Sequence, residues 1–372
     1  MAHLYDIGVL GASPAGWAAA YYLARKKCDV VLVGTPSQAA ECPLADWVAA
    51  DFFRLPNLPR SLAGRCRAEP FRSVHYHNAN LSRHVNHSSR SYAGYFVQTD
   101  SLNRALRDAA RKAGAAAFAS SKRLRVQLEE DFVRLVDGRE TRAKLLLIVH
   151  NRPNDVIRDL SLPVRTVPES HLLAAGLDVP LTSRTWKGRL RGALHVVESS
   201  EGTELGMFFL VASVLHLRIV SSSRASGTRA AELSQMVARL QDEQILPAEL
   251  SLGKARGAVW RPPAGVALEL ESHVTKRCLL AGTAGGFADT ITGHTLLPSV
   301  QSALLAADAA LKALKSRGVQ ETLMGFKTSW RESLADYLRP PNTSLQMLLP
   351  LLFVNQKIVG RFTRALLNGE NI

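Results

Sequence analysis

Cysteine is scarce: Cys28, Cys42, Cys66 and Cys278 are the only four in 372 residues. Their spacing matches no metal knuckle, and four scattered thiols make no disulfide framework, so a reduced, cytoplasmic setting is expected. Long apolar runs are missing too, since no segment approaches the roughly 20 uncharged residues of a spanning helix. The first residues lack the basic stretch, apolar core and cleavage site of a secretory signal, and their apolar residues are expected to form a buried strand. Acid is in short supply: 46 Lys and Arg face 32 Asp and Glu, a net charge of +14. Anionic partners therefore come into consideration. Aromatics are only 6% of residues, and no nucleic-acid module or stacking-aromatic pattern accompanies the charge, which ranks nucleic acid last among such partners.

What the chain does have is a pair of glycine-punctuated segments nearly at its two ends. "YDIGVLGASPAGWAAAYYLARKKCDVVLVGTPS" reads as a strand at 7–10, a tight turn at Gly11, a helix from about residue 14 to 27 and a second strand at 30–33. Such a βαβ opening suits a dinucleotide: Gly11 allows the sharp exit, Gly16 lets the helix approach the sheet, and the helix start offers unpaired N–H groups to a diphosphate. Pro14 fits the first helical turn, where its missing N–H is not needed. "RCLLAGTAGGFADTITGHTLLPSVQSALLAADAAL" adds a strand at 278–281, a turn of small residues and a long helix after Gly293.

Together the two segments resemble the FAD-dependent superfamily of aromatic-ring hydroxylases, geranylgeranyl reductases and flavin-dependent halogenases. Asp6, Gly11, Pro14, Ala15 and Gly16 match its first motif, and Gly282, Ala284, Gly286, Phe287, Gly293 and Ser302 match its late G-D-A-x-G-like turn. "GYFVQTDSLNRALRDAARKAGA" resembles its "vdR" helix, and "AKLLLIVHNRPNDVIRDLSLP" the strand that ends in an Ala-Asp-Gly turn, so the resemblance spans roughly 1–325. It implies an α/β fold: a discontinuous FAD-binding, Rossmann-like nucleotide domain of the glutathione-reductase type at 1–164 plus 272–330. An antiparallel β-sheet substrate domain would be inserted at 165–271, with C-terminal helices at 331–372.

The departures fall where the family touches its cofactor. Ser13 replaces the middle glycine, Gly34 replaces the carboxylate for the adenosine ribose, and Thr35, Ser37 and Gln38 offer only neutral partners. Thr283 stands for the late aspartate, His150 and Asn151 for the Asp-Gly pair, and Thr295 for a glycine before the last helix. Each lost hydrogen bond is worth about 0.5–1.5 kcal/mol. Two outcomes are open: a divergent FAD-dependent oxidoreductase, of reductase or monooxygenase type, acting on a small hydrophobic or anionic substrate, or a flavin-free descendant that binds a partner through its basic surface. The expected cofactor residues are Gly11, Ser13, Pro14, Ala15, Gly16, Gly282, Thr283, Gly286, Gly293 and Thr295. His294, at the start of the last helix, is the candidate catalytic group beside the flavin. The reductant, NAD(P)H included, is left unassigned.

The basic charge gathers at 54–90, where Arg54, Arg60, Arg65, Arg67, Arg72, Arg83 and Arg90 and four histidines meet one acid, Glu69. An anionic ligand or acidic partner could be gripped there, or the stretch could be a solvated insertion. His75 and His77 would share a strand face and His84 and His87 a helix face, but no cysteine or clustered carboxylate joins them and no metal is expected. Cys42, in "ECPLAD", reads as a buried thiol.

Between 165 and 271 the pattern becomes strand-like in "GALHVVES", "LGMFFLVASVLHLRIVSS" and "GVALELESH", with a helix at about 230–243. The W-x-W-x-I-P run of tryptophan halogenases and the YxWxFP run of the reductases are both absent, which leaves the substrate unread. Trp186, Trp260 and Phe208 are candidates for a pocket or for core. Pro340 and Pro341 end one helix, and Thr343 or Ser344 would cap the next. The apolar 345–353 followed by Lys357, Arg361 and Arg364 forms an amphipathic tail. It could pack on the nucleotide domain or touch a membrane surface peripherally.

Overall fold

Strands Leu4–Leu10, Val30–Val33, Arg139–Ile148 and Cys278–Leu280 come from both ends of the chain yet lie side by side. The computed structural model describes residues 3–34, 45–120, 124–137, 139–150, 160, 169–198, 204–222 and 229–370. In it these strands and Ala116–Phe118 run in the order 278–280, 139–148, 4–10, 30–33, 116–118, every adjacent pair parallel. Apart from the exposed Leu4, their Val, Ile and Leu residues are covered on both faces, the usual condition of parallel strands. Helices Pro14–Arg25, Thr99–Lys112 and Leu296–Leu314 cover one face. An antiparallel meander, Arg125–Leu128 and Val133–Asp137, leads into Arg139–Ile148 and packs on the other. Ala303, Ala306, Ala307, Ala310 and Ala313 recur at helical spacing and are buried, which lets Leu296–Leu314 pack closely against Pro14–Arg25. This is the Rossmann-like half of the expected fold.

A seven-stranded roof sheet follows the order 256–260, 172–180, 214–222, 204–211, 193–198, 73–77, 84–88. It is antiparallel except where Ala193–Glu198 runs parallel to Ser73–His77. The roof therefore takes five strands from 165–271 and two from the basic stretch 54–90. Period-two alternation sends Leu194, Val196, Leu205, Met207 and Phe209 to the inner face. Phe208, Leu210 and Leu217 go to the outer face, under Leu233, Val237 and Leu240 of the helix Arg229–Asp242. A small antiparallel sheet of Ala45–Ala49, Gly94–Gln98 and Glu69–Phe71 bridges the two halves.

Two local expectations change, and one open choice is resolved. "GVALELESH" is not a strand: Gly265 takes φ +80° and opens a short helix, Val266–Glu269, whose Ala267 N–H donates to Gly286 O at 3.2 Å. His84 and His87 lie on a strand, His84–Ser88, and their odd separation puts them on opposite faces. Trp260 and Trp186 are half-buried, and Phe208 is wholly core.

The proline pair does end the helix Val319–Leu338, and Ser344 caps Leu345–Leu352 by accepting from Gln346 N at 3.3 Å. The tail then packs on the roof sheet rather than on the nucleotide domain: Leu348, Leu349, Leu352, Phe362 and Leu366 join the inner-face cluster with Tyr76. No described helix is long and apolar enough to cross a membrane. Cys42 and residues 35–38 and 151 lie outside the described residues.

Candidate dinucleotide site

Gly11 leaves the first strand at φ +124°, and a Cβ there would collide with the His150 side chain. One turn on, a Cβ on Gly16 would overlap the Gly11 carbonyl oxygen. Both glycines are thus required by the turn itself. Asn103 Nδ2 donates to Ala12 O at 3.1 Å and ties the turn to the helix Thr99–Lys112. Asp6 works further back: Lys144 Nζ lies 2.8 Å from Oδ1 and Asp29 N donates to Oδ2 at 3.1 Å. Burial pushes its carboxyl up, but the Lys144 ammonium and the Asp29 N–H outweigh that and hold it below the usual value.

The late turn is built from the opposite end of the chain. Gly282, Gly286 and Gly293 all have positive φ. Ser302 Oγ accepts from Gly282 N at 3.0 Å and donates to Ser299 O at 3.1 Å, while Ser299 Oγ donates to Phe287 O at 3.2 Å. Asp289 organises the stretch before the helix Leu296–Leu314, with Oδ2 accepting from both Thr292 N and Thr292 Oγ1 at 2.6 Å and Oδ1 from Ile291 N at 3.1 Å. Burial raises the Asp289 pKa despite those donors.

Between the two turns lies a narrow cavity, of about 20 Å³, lined by Ser13, Pro14, Ala15, Asp46, Thr99, Val149, His150, Thr283, Thr295, Leu296, Ser299 and Val300. Two long helices, Pro14–Arg25 and Leu296–Leu314, start on it. Of the expected cofactor residues, Ser13, Pro14, Ala15, Thr283 and Thr295 line the cavity, and the five glycines shape the turns that frame it. Ser13 is already engaged: its Oγ accepts from Gly16 N at 3.3 Å and caps the first helix.

His294 does not line the cavity. Its Nε2 accepts from Leu297 N at 3.3 Å, which places the ring proton on Nδ1. Nδ1 lies 3.2 Å from Asp46 Oδ1, without the alignment of a hydrogen bond. Asp46 Oδ1 also lies 3.3 Å from Arg218 Nη1 and accepts from Trp47 N at 3.0 Å. Arg218 Nη2 donates to Ala45 O at 2.9 Å, and its guanidinium lies over the rings of Trp47 and Trp260 at 5.1 and 5.4 Å. Trp47 stacks on His294 with centroids 5.1 Å apart. Burial pushes Asp46 up, but Arg218 and then His294 hold its pKa below the usual carboxylate value. Tyr337, 6.4 Å from the His294 ring, is pushed well above 10 by burial and by Asp289 and Asp46.

Asp46, Arg218 and Asp289 are the residues that motif reasoning missed. Their signal was present: each is a lone charge in an apolar stretch, "ADWVAA", "VLHLRIV" and "GGFADTI", and a buried charge requires a partner.

No family model and no curated protein sequence matches the chain. Solved structures do. A geranylgeranyl bacteriochlorophyll reductase-like protein from Thermoplasma acidophilum superposes with TM-score 0.74 at 14% identity, over 100% of this chain and 98% of that one. PqsL, a probable FAD-dependent monooxygenase from Pseudomonas aeruginosa, gives 0.68 at 20% identity over 96% and 99%. p-Nitrophenol 4-monooxygenase PnpA from Pseudomonas putida gives 0.71 at 14% over 98% and 94%. The chain thus has the fold of these FAD-type oxidoreductases, a Rossmann-like domain joined to a substrate-type sheet, as the two glycine segments implied.

Proposed function

We propose that the protein is an FAD-dependent oxidoreductase of the reductase or monooxygenase kind, acting on a small hydrophobic or anionic substrate. The observation that carries this reading is the cavity onto which two long helices and both glycine turns open. Of its lining, Thr295 would offer a hydroxyl to diphosphate or ribityl oxygens, while Ser299 and Thr283 donate theirs to Phe287 O and Val149 O, and two helix starts favour negative charge. The adenosine end would lie by Gly34, where the resemblance places the ribose-binding carboxylate.

Bound FAD supplies hydride and oxygen chemistry of its own. The chain's residues bind and orient. Pro14 and Ala15 would present the start of Pro14–Arg25 to the diphosphate, and Thr295 and Leu296 the start of Leu296–Leu314 to the flavin end. Asp46, held ionised by Arg218, sets a fixed negative charge at the cavity wall. His294 acts through Asp46 and Trp47 as a positioning residue, since neither ring nitrogen turns to the cavity. The roof sheet, with Arg218 reaching down from it, closes the substrate side.

The test is the visible spectrum of the purified protein before and after incubation with FAD and gel filtration. A retained flavin spectrum supports the reading. A folded protein that stays colourless overturns it in favour of the flavin-free binding protein, which the engaged Ser13 hydroxyl and the missing ribose carboxylate at Gly34 also favour.

A further inference from the structure

The seven arginines of 54–90 do not form one surface. Arg54 pairs with Asp51 at 3.2 Å, and Arg72 lies over the Tyr92 ring at 5.0 Å. Arg65 and Arg67 instead open, with Arg104 from the helix Thr99–Lys112, into a cleft of about 610 Å³ whose polar wall is completed by Gln98 and Ser101. No residue lines both this cleft and the dinucleotide cavity.

Two acids also line the cleft, each with a partner of its own. Glu69 Oε1 accepts from Ala212 N at 2.8 Å, and its Oε2 lies 4.0 Å from Arg191 Nε. Asp108 Oδ1 lies 3.4 Å from Arg107 Nε. Arg65, Arg67 and Arg104 have no counter-ion among the described residues. Arg67 is also held at φ +54°, just past the short helix Leu62–Arg65, with Arg67 N donating to Gly64 O at 3.2 Å and Ala68 N to Ala63 O at 2.9 Å. Glycine favours that left-handed position, and a side chain there is strained. The turn thus keeps a cation in a place where glycine would be more stable.

We propose that this cleft binds a ligand carrying at least two phosphate charges. Three guanidiniums, each a planar fork of donors, match phosphate oxygens. The wall has no aromatic ring on which a base could stack; its apolar members, among them Cys66, Ala105 and Val211, are small or aliphatic. Burial pushes the Cys66 thiol up to about 11, so it stays protonated and adds no chemistry. The diphosphate charge, not a base, is what the site reads, and the proposal does not rest on the flavin reading.

The experiment is calorimetric titration of the full chain with inorganic pyrophosphate and with orthophosphate at physiological ionic strength, beside sedimentation with vesicles containing phosphatidic acid. The expected result is saturable one-to-one binding of pyrophosphate, tighter than orthophosphate, weakened about tenfold or more by Arg104→Ala and unchanged by Arg54→Ala. Arg67→Gly should weaken binding while raising the melting temperature, because it removes the cation and relieves the turn. Vesicle binding that depends on Arg104 without binding of free pyrophosphate would assign the phosphates to a lipid headgroup. No saturable binding in either arm, or equal losses in Arg54→Ala and Arg104→Ala, would overturn the site.

Discussion

His294 Nδ1 faces Asp46 Oδ1 at 3.2 Å, with both side chains no more than 2% exposed. The contact joins the start of the helix Leu296–Leu314 to the small bridging sheet, and Arg218 brings the roof sheet to the same carboxylate at 3.3 Å. Removing one partner of a buried ion pair strands the other, at a cost of about 3–5 kcal/mol. Asp46→Ala should lower unfolding stability by that order in urea titrations. Asp46→Asn keeps an acceptor for Trp47 N and should lose less. An Asp46→Ala protein with the wild-type midpoint would mean that Arg218 is not held by this carboxylate.

Ser13 offers the sharper handle on the cofactor, because glycine replacements would not separate binding from folding. A Cβ on Gly16 overlaps the Gly11 carbonyl, so Gly16→Val is expected to yield misfolded chain. Ser13→Asp keeps a good cap for Gly16 N while setting a negative charge against a diphosphate. Flavin content should fall with melting temperature unchanged. Ser13→Gly frees the helix start and should bind FAD more tightly, with a small loss of stability. Equal flavin retention in all three proteins would place the diphosphate elsewhere.

The parallel sheet and both glycine turns were legible in the sequence because each rests on local signals: short Val and Leu runs, small residues at fixed spacing, Pro14 at a helix start. What was not legible is long-range. Nothing local announces that Ser73–His77 pairs with Ala193–Glu198, or that Asp46, Arg218 and His294 converge from three separate elements. Position in the late motif marked His294, but its ring nitrogens were spoken for by Leu297 and Asp46, a fact of packing. Segment 265–273 was misread because its alternation imitates a strand, whereas the left-handed Gly265 starts a helical turn.

On the outer face of the roof, His77 Nε2 lies 3.1 Å from His195 Nδ1, with the His75 ring 4.9 Å from that of His195 and the His84 ring 6.4 Å from that of His77. Burial, then neighbouring imidazoles, lowers His77 to about 4, and the same causes depress His195 well below and His75 below the ordinary value. His273, packed among Phe287, Phe326 and Trp330, is lowered to about 4 mainly by burial. Unfolded histidine titrates at about 6.5. As pH falls from there toward about 4 the unfolded chain binds protons that the native chain refuses, so stability is lost across that window. His77 alone should contribute a loss on the order of 2 kcal/mol between pH 7 and 5. Urea midpoints measured across this range should fall, and His77→Gln should flatten the dependence. A midpoint independent of pH there would contradict the buried neutral cluster.

The tail gives the most direct contest between two surfaces. Thr363 Oγ1 donates to Val359 O at 2.8 Å, so it accepts from the buried Tyr76 OH, also at 2.8 Å. Phe362 is 1% exposed and meets the Tyr76 ring edge-on at 5.6 Å. Helix Gln356–Asn368 is thereby fixed to the roof sheet by its apolar face, while Lys357, Arg361 and Arg364 stay in solvent. Phe362→Ala should cost about 3–5 kcal/mol, as for other large core truncations. Thr363→Val strands a buried hydroxyl and should cost about 1–3 kcal/mol. Both variants should expose Lys357, Arg361 and Arg364 to faster tryptic cleavage in the otherwise native protein. A tail that instead kept its apolar face for a lipid surface would leave the stability of the free protein unchanged on Phe362→Ala, and unfolding in the absence of membranes separates the two directly.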